Sequence, residues 1–519
     1  MTTISSTLFF NGIILTQNPN QPYVEAVFVE NEKILAVGRI ENMKDLITSQ
    51  THYVDLQGKT LMPGFIDAHI HLWKVGNLLT FTLDLRGSKS IDEILEKIKD
   101  FHKKNPDNSY INARGFNESN LLEQRMLTKK DLDSLGIEKP IIVQRTCAHI
   151  TVVNSFTLQT IENQGIAFEI NGGKTDLETG TLYETAQGLA QKILAPYTNA
   201  EYKTMLRAAY QALIKLGVTS ACDPAVMPDL LEVYHQLQNE KQLPIRTNAI
   251  PVRLPDGGAN TLPIPKWHRS PMLQVDTVKF FADGGLSGKT AALRRTYNDG
   301  ISKGIMRLSA ESFYLWAAEA QEKGFRIATH AIGDEAIDLV LDVYERLFEQ
   351  FGFRNRIEHL GLPDAIQLKR IKKSRTFIVS QPVFLEELGK NFIQYLDESY
   401  LDLCYPYKSI LKAGIDLAFS TDAPVVKNLN PFQSIHNAVT RSTASGEIIA
   451  KKEAISISEA LYAYTLGAAR SLKTDAWTGS IEAGKYADLI VLNKNPLKVE
   501  KSEILTIEVL DVFVNGEKM

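Results

Sequence analysis

The apolar positions along the chain fall into two textures. Near both ends they come as short bursts closed by turn residues. Ala26-Val27-Phe28-Val29 leads through Glu30-Asn31-Glu32-Lys33 into Ile34-Leu35-Ala36-Val37-Gly38, a hairpin pattern. Ala487-Asp488-Leu489-Ile490-Val491-Leu492 reads as a strand, and Val512-Phe513-Val514 runs into Asn515-Gly516, a hairpin turn signal. Neither end carries enough apolar faces to bury itself. Residues 1–62 and 476–519 are therefore expected to pack together as one small β-sandwich.

The middle, 63–475, alternates short apolar runs with helical spacing, the rhythm of a parallel sheet covered by helices. Eight strands are expected at 64–71, 217–223, 245–251, 276–282, 325–330, 355–360, 376–381 and 415–421. Helices are expected at 200–216, 228–241, 309–324, 333–352 and 456–472, the third with Ser309 as N-cap and Gly324 just past its end. Eight strand–helix units close naturally into an α/β fold of the (β/α)8 TIM-barrel type; an open doubly wound sheet is the alternative. The first two strands are separated by far more chain than a loop needs. Residues 84–200, with strand-like Ile141-Ile142-Val143-Gln144-Arg145 and the run Asn171-Gly172-Gly173, read as an inserted subdomain over the barrel mouth.

At 519 residues the chain is too long for one core, which agrees with a large domain plus accessories. A formal charge of -4 and the lack of a long basic run argue against nucleic acid or an anionic membrane as partner. Leu8-Phe9-Phe10 and Ile13-Ile14-Leu15 are too short and too interrupted for a secretory signal, and no run approaches a membrane span. Three scattered cysteines, Cys147, Cys222 and Cys404, suit a reducing compartment. The expectation is a cytoplasmic enzyme acting on a small molecule.

The strongest chemical signal is Pro63-Gly64-Phe65-Ile66-Asp67-Ala68-His69-Ile70-His71. Residues two apart on a strand share a face, so His69 and His71 project together and can hold one metal ion. Burying two imidazoles for packing alone gains nothing. Asp67 shares that face, either supporting the histidines or accepting a strand-end hydrogen bond. His330 ends Phe325-Arg326-Ile327-Ala328-Thr329-His330, and His359 ends Asn355-Arg356-Ile357-Glu358-His359. Asp422 follows Leu417-Ala418-Phe419-Ser420-Thr421, where a helix N-cap before Ala423-Pro424 is the competing role. Each lies at the C-terminal end of a different strand, where barrel active sites are built. The chain has ten histidines, and four at such ends are not a chance outcome. Lys279 lies inside Thr277-Val278-Lys279-Phe280-Phe281, otherwise fit for burial. Either it pairs with a carboxylate such as Asp283, or as a neutral amine it reacts with carbon dioxide to give a carbamate that bridges metal ions.

This ligand order, and the motifs Val278-Lys279-Phe280-Phe281-Ala282-Asp283-Gly284, His330-Ala331-Ile332-Gly333-Asp334, Arg356-Ile357-Glu358-His359, Ser380-Gln381-Pro382 and Ser420-Thr421-Asp422-Ala423-Pro424-Val425, resemble the amidohydrolase superfamily. The finer match is to its branch of YtcJ-like and N-substituted formamide deformylase-like enzymes, and it extends to Gly479-Ser480-Ile481-Glu482-Ala483-Gly484-Lys485 and to Gly180-Thr181-Leu182-Tyr183-Glu184. The chain departs from that branch at Gly115-Phe116, Cys147-Ala148 and Ser420-Thr421; the first two touch the expected substrate pocket.

The resemblance implies one or two divalent ions, zinc first, held by His69, His71, Lys279, His330, His359 and Asp422, with Lys279 carboxylated. It implies a metal-activated water, with Asp422 as general acid and base. His149, Glu184, Asp283 and Gly284 are the expected substrate contacts, each with a plain surface or turn role as its alternative. His52, His102, His235, His268 and His436 have no motif around them. The implied reaction is hydrolysis of a C–N bond in an amide, formamide or cyclic amide. Ester or lactone hydrolysis by the same site, and a non-catalytic regulatory protein that keeps the fold, are the alternatives. A homodimer is the assembly common among such enzymes.

Overall fold

Eight parallel strands position every residue of the site. The computed structural model describes residues 6–146, 150–169, 173–184, 186–194, 196–255 and 260–519. They divide into two units, one made of 6–71, 210–255 and 260–519, the other lying within 72–209.

In the first unit the strands are β1 (Phe65–Asp67), β2 (Val218–Val226), β3 (Arg246–Pro251), β4 (Thr277–Phe281), β5 (Arg326–Ala331), β6 (Arg356–His359), β7 (Phe377–Ser380) and β8 (Leu417–Phe419). β1, β2 and β3 pair in parallel within one sheet, which Leu273–Val275 and His268–Arg269 extend. β4 to β8 form a second parallel sheet in sequence order. A parallel bridge joins Val252, just past β3, to Lys279 of β4. On the far side, the Ala68 N–H donates to the Phe419 carbonyl at 3.4 Å and the Asp422 N–H to the His69 carbonyl at 2.8 Å. Strands of this kind are covered on both faces and so read as continuous apolar runs. Ile66, Cys222, Ile250, Ala328, Val379 and Ala418 accordingly meet in one buried cluster.

The helices between strands are amphipathic. Asp334–Phe351 buries Ile337, Val340, Leu341, Tyr344 and Leu347, one face of a 3.6-residue period. Asp334 and Glu335 in its first turn suit the helix dipole, and Gly352 at φ 71° closes it. Ser309 caps Ala310–Glu322 by accepting from the Ser312 N–H at 3.3 Å.

Two elements differ from the sequence expectation. The helix expected over 456–472 is two helices, Ile457–Ala463 and Leu466–Ser471. At the break the Tyr464 carbonyl accepts the Ile66 N–H of β1 at 2.8 Å. The first strand stops at Asp67, not residue 71. Beyond it the segment is held by the Cys222 carbonyl, which accepts from the Ile70 N–H, and by the Ala423 carbonyl, which accepts from the His71 N–H.

The two ends of the chain form two facing sheets in the same unit. One contains Ser6–Phe10, Ala26–Glu30, Lys33–Gly38 and Thr51–Asp55. The other joins Ile13–Leu15, Tyr23–Val24 and Thr60–Pro63 to Leu489–Leu492, Val509–Val514 and Glu517–Lys518. Phe9, Val27 and Ile34 of the first meet Leu61, Leu489, Val491 and Phe513 of the second in a shared core. Asn515 and Gly516 turn the last hairpin with φ of 54° and 77°.

The second unit is built on a mixed six-stranded sheet of Leu83–Asp84, Ile111–Phe116, Ile141–Arg145, Ile150–Val153, Gly173–Asp176 and Thr181–Glu184. The helix Ile91–Lys104, capped by Ser90, packs Ile94 and Ile98 onto Ile111 and Val143. Among the described residues no helix is long and apolar enough to cross a membrane.

Candidate metal centre

The C-terminal ends of β1, β6 and β8 bring three donors together. One ligand atom from each of His69, His359 and Asp422 lies within 4.8 Å of the others, and all three residues are buried. Donors sharing one zinc ion sit about 2.0–2.2 Å from it, so they lie about 4 Å apart at most, and small side-chain shifts close the difference. His69 Nε2 and His71 Nε2 each lie 3.3 Å from Asp422 Oδ1. The His330 ring packs against the His359 ring with centroids 4.5 Å apart.

Backbone conformation aims two of these side chains. His359 has φ 73°, Leu360 φ 52° and Asp422 φ 59°, a region that non-glycine residues rarely occupy. Each such residue costs on the order of 1–3 kcal/mol, and the cost is tolerated where function fixes the geometry. The surroundings hold the turns in place. Ser380 Oγ donates to the His359 carbonyl at 2.8 Å, and the Asp422 N–H is bound to His69 as described above.

Hydrogen bonds to the opposite ring nitrogens set each imidazole. Nδ1 of His69 meets Glu358 Oε2 at 2.5 Å, Nδ1 of His71 meets the Pro224 carbonyl at 3.2 Å, and Nδ1 of His359 meets Gln381 Oε1 at 2.7 Å. These acceptors require a proton on Nδ1 and make Nε2 the nitrogen left for a cation. Burial lowers the pKa of His69, but the Asp422 and Glu358 carboxylates outweigh it and raise it, so His69 must give up its Nε2 proton to bind a cation. His330 is reversed. Its Nε2 meets the Gly284 carbonyl at 3.0 Å, which leaves Nδ1 as the donor.

The electrostatics suit a cation. Burial alone would push the Asp422 carboxyl up, but His69, His71 and His359 outweigh it and hold the group well below the usual carboxylate range. Burial and the neighbouring His330 keep His359 well below its ordinary value, so it is a neutral donor. Lys279 is fully buried, and its Nζ has no hydrogen-bond partner. Burial pulls its pKa down to about 8. Pairing with Asp283 does not occur. That carboxylate accepts the N–H groups of Ala292, Ile332 and Gly333 at 3.0, 3.1 and 2.8 Å. Fully buried, Asp283 braces the turn beneath His330, with Oδ1 3.4 Å from His330 Nε2.

Asp67 also binds the framework. It accepts from Thr421 Oγ1 at 2.6 Å, from the Thr421 N–H at 3.2 Å and from the His69 N–H at 3.2 Å, tying the end of β1 to the segment after β8. Burial raises its pKa to about 6 against those bonds. Glu184 closes a strand of the second unit, and His149 lies outside the described residues. Sequence reasoning gave Gln381 and Glu358 no role, although both lie in motifs it singled out. The available signal was Arg356 and Glu358, two charges two apart on a strand that must be buried.

Imidazoles and a carboxylate converging on the C-terminal ends of parallel strands form a candidate cation site on an α/β fold. The chain belongs to the amidohydrolase family, whose sequence profile its residues 52–518 match. It is 27% identical over 530 residues to YtcJ of Bacillus subtilis, an amidohydrolase by name, with 98% of each chain covered. It is 26% identical over 542 residues to the N-substituted formamide deformylase of Arthrobacter pascens, covering 99% of this chain and 98% of that one. The crystal structure of an uncharacterized metal-dependent hydrolase from Pyrococcus horikoshii OT3 superposes with a TM-score of 0.81 at 29% identity, covering 96% and 99%.

Proposed function

We propose that the protein is a metal-dependent hydrolase that cleaves a C–N bond in an amide, formamide or cyclic amide at the mouth of a closed (β/α)8 barrel. The observation that carries this reading is the meeting of His69, His359 and Asp422 in one buried cluster. Closure is supported on both seams between the sheets, by the Val252–Lys279 bridge and by the bonds from residues 68 and 69 to residues 419 and 422. In this reading 1–62 and 476–519 form one sandwich, and 63–475 is the barrel with 84–200 inserted.

The donors fit a divalent cation. Lone-pair nitrogens on His69, His71, His330 and His359 and an ionised Asp422 are the ligand types zinc takes, and the deformylase and metal-dependent hydrolase names of the relatives point the same way. A bound cation would act as a Lewis acid, polarising the scissile carbonyl and lowering the pKa of a water from about 15.7 towards about 7. Asp422, held ionised by its histidines, accepts the proton of the attacking water on a carboxylate oxygen and delivers it to the leaving nitrogen. Lys279, whose Nζ has no hydrogen-bond partner and whose pKa is lowered to about 8, would in its uncharged form add Nζ to carbon dioxide with loss of a proton. The resulting carbamate offers two oxygens to one or two ions. The substrate is a small molecule, with His149, Asp283, Gly284 and Glu184 as its candidate contacts. The enzyme is a cytoplasmic homodimer in this reading.

The test is hydrolysis of a panel of N-formyl and N-acyl amines, cyclic amides and matched esters by zinc-loaded and chelator-treated protein. Metal-dependent release of amine supports the reading. Turnover of esters alone would move the function to the second enzyme class. No turnover of any member by metal-loaded protein would overturn it.

A further inference from the structure

We propose that Glu358 is a positioning residue of the cation site: it sets the tautomer and direction of His69 from behind, and Arg356 keeps its carboxylate charged inside the core. The inference rests on the reading that His69 holds the cation.

Arg356 and Glu358 both lie on β6, two residues apart, and both are fully buried. Arg356 Nε donates to Glu358 Oε1 at 2.5 Å and Nη2 to Oε2 at 2.9 Å. The pair grips the end of β1 at two adjacent points. Arg356 Nη2 donates to the Ala68 carbonyl at 2.8 Å, and Glu358 Oε2 takes the Nδ1–H of His69 at 2.5 Å. Just past β1, Ala68 is thus fixed through its backbone and His69 through its ring.

Stability does not account for this arrangement. Removing two charges from water costs several kcal/mol per ion, and a buried pair is often replaced by apolar residues with no loss of stability. What the apolar pair could not supply is an anionic acceptor at His69. Hydrogen bonds from the other histidines reach the Pro224 carbonyl, Gln381 Oε1 and the Gly284 carbonyl. His330 Nε2 also has a carboxylate oxygen, Asp283 Oδ1, at 3.4 Å; at His69 the acceptor itself is a carboxylate, at 2.5 Å. Such an acceptor locks the Nδ1–H tautomer and makes Nε2 a stronger donor to a cation, and supports of this kind commonly govern metal affinity. Glu358 does not itself enter the chemistry, because it is sealed from solvent and both its oxygens are engaged.

Two variants separate positioning from packing. Glu358→Asp keeps the charge that Arg356 needs but draws the carboxylate back from His69. The double variant Arg356→Met/Glu358→Gln removes the charge pair at nearly constant volume. Zinc affinity is read by chelator competition, and the metal-free melting temperature is read separately. Positioning predicts that each variant binds zinc about 10–100-fold more weakly, while the metal-free melting temperature does not fall in proportion. Zinc binding as tight as in the wild type, by either folded variant, would overturn the proposal. If the wild type itself bound no zinc, the functional reading would fail first, and the two failures are distinct.

Discussion

Gln381 and His359 are locked to each other: Gln381 Oε1 takes the His359 Nδ1–H at 2.7 Å while its Nε2 donates to Ser420 Oγ at 2.8 Å. One amide thereby sets the tautomer of a candidate ligand on β6 and ties it to the segment after β8. Gln381→Leu leaves a buried imidazole N–H without its acceptor, which costs about 1–3 kcal/mol. Urea unfolding of metal-free protein should show a loss of that size, and Gln381→Glu, which restores an acceptor, should recover part of it. Equal stability of the leucine variant and the wild type would show that the bond contributes nothing.

Asp422→Asn keeps the shape of the side chain and removes its proton-accepting charge. The expected result is a kcat lower by about 10²–10⁴-fold with an unchanged far-ultraviolet circular dichroism spectrum. Activity within a factor of two of wild type would mean that another group handles the proton.

Lys279 Nζ is buried without a hydrogen-bond partner, 4.9 Å from the centre of the Phe281 ring. Intact-protein mass spectrometry under native conditions should show an added carbon dioxide, lost on brief acidification. Lys279→Ala should abolish that increment and lower metal occupancy. Full occupancy in the alanine variant would remove the carbamate from the account.

Lys473 gives a pH prediction away from the site. Burial and Arg326 lower its pKa from 10.5 to about 8. Below about pH 8 the folded chain bears the cost of the charge. As pH rises from about 8 towards 10.5, the folded chain releases the proton while the unfolded chain still holds it, so this contribution to stability improves. Lys473→Met should therefore stabilise the protein at pH 7. Because the group is half-buried, the gain should be below about 1 kcal/mol after solvent screening, and it should fade by pH 10. A gain that stays constant from pH 7 to 10 would contradict the assignment.

The eight strands were legible because buried parallel strands are nearly continuous apolar runs, and β5, β6 and β7 begin and end within a residue or two of where those runs do. Side-chain alternation does not reveal where hydrogen bonding stops. It carried the first strand on to His71, although pairing ends at Asp67. The break at Thr465 was hidden, and the bond made there, from the Ile66 N–H to the Tyr464 carbonyl, joins residues far apart in sequence. The same limit applies at the site. His69, His359 and Asp422 stand out by their places at strand ends, which is local information. Glu358 and Gln381 act on those histidines through contacts that only the folded sheet creates. A turn aspartate such as Asp283 carries no sign, in sequence, of the three amides that it binds.

The central claim is that scattered side chains hold a catalytic cation, and the most direct measurement is elemental analysis of protein purified without chelator, beside a His69→Ala/His359→Ala variant. The account predicts one or two equivalents of divalent metal per wild-type chain, zinc first, and a clear loss in the variant. Folded wild-type protein that carries no metal and takes up none from zinc, iron, manganese or nickel solutions would contradict it.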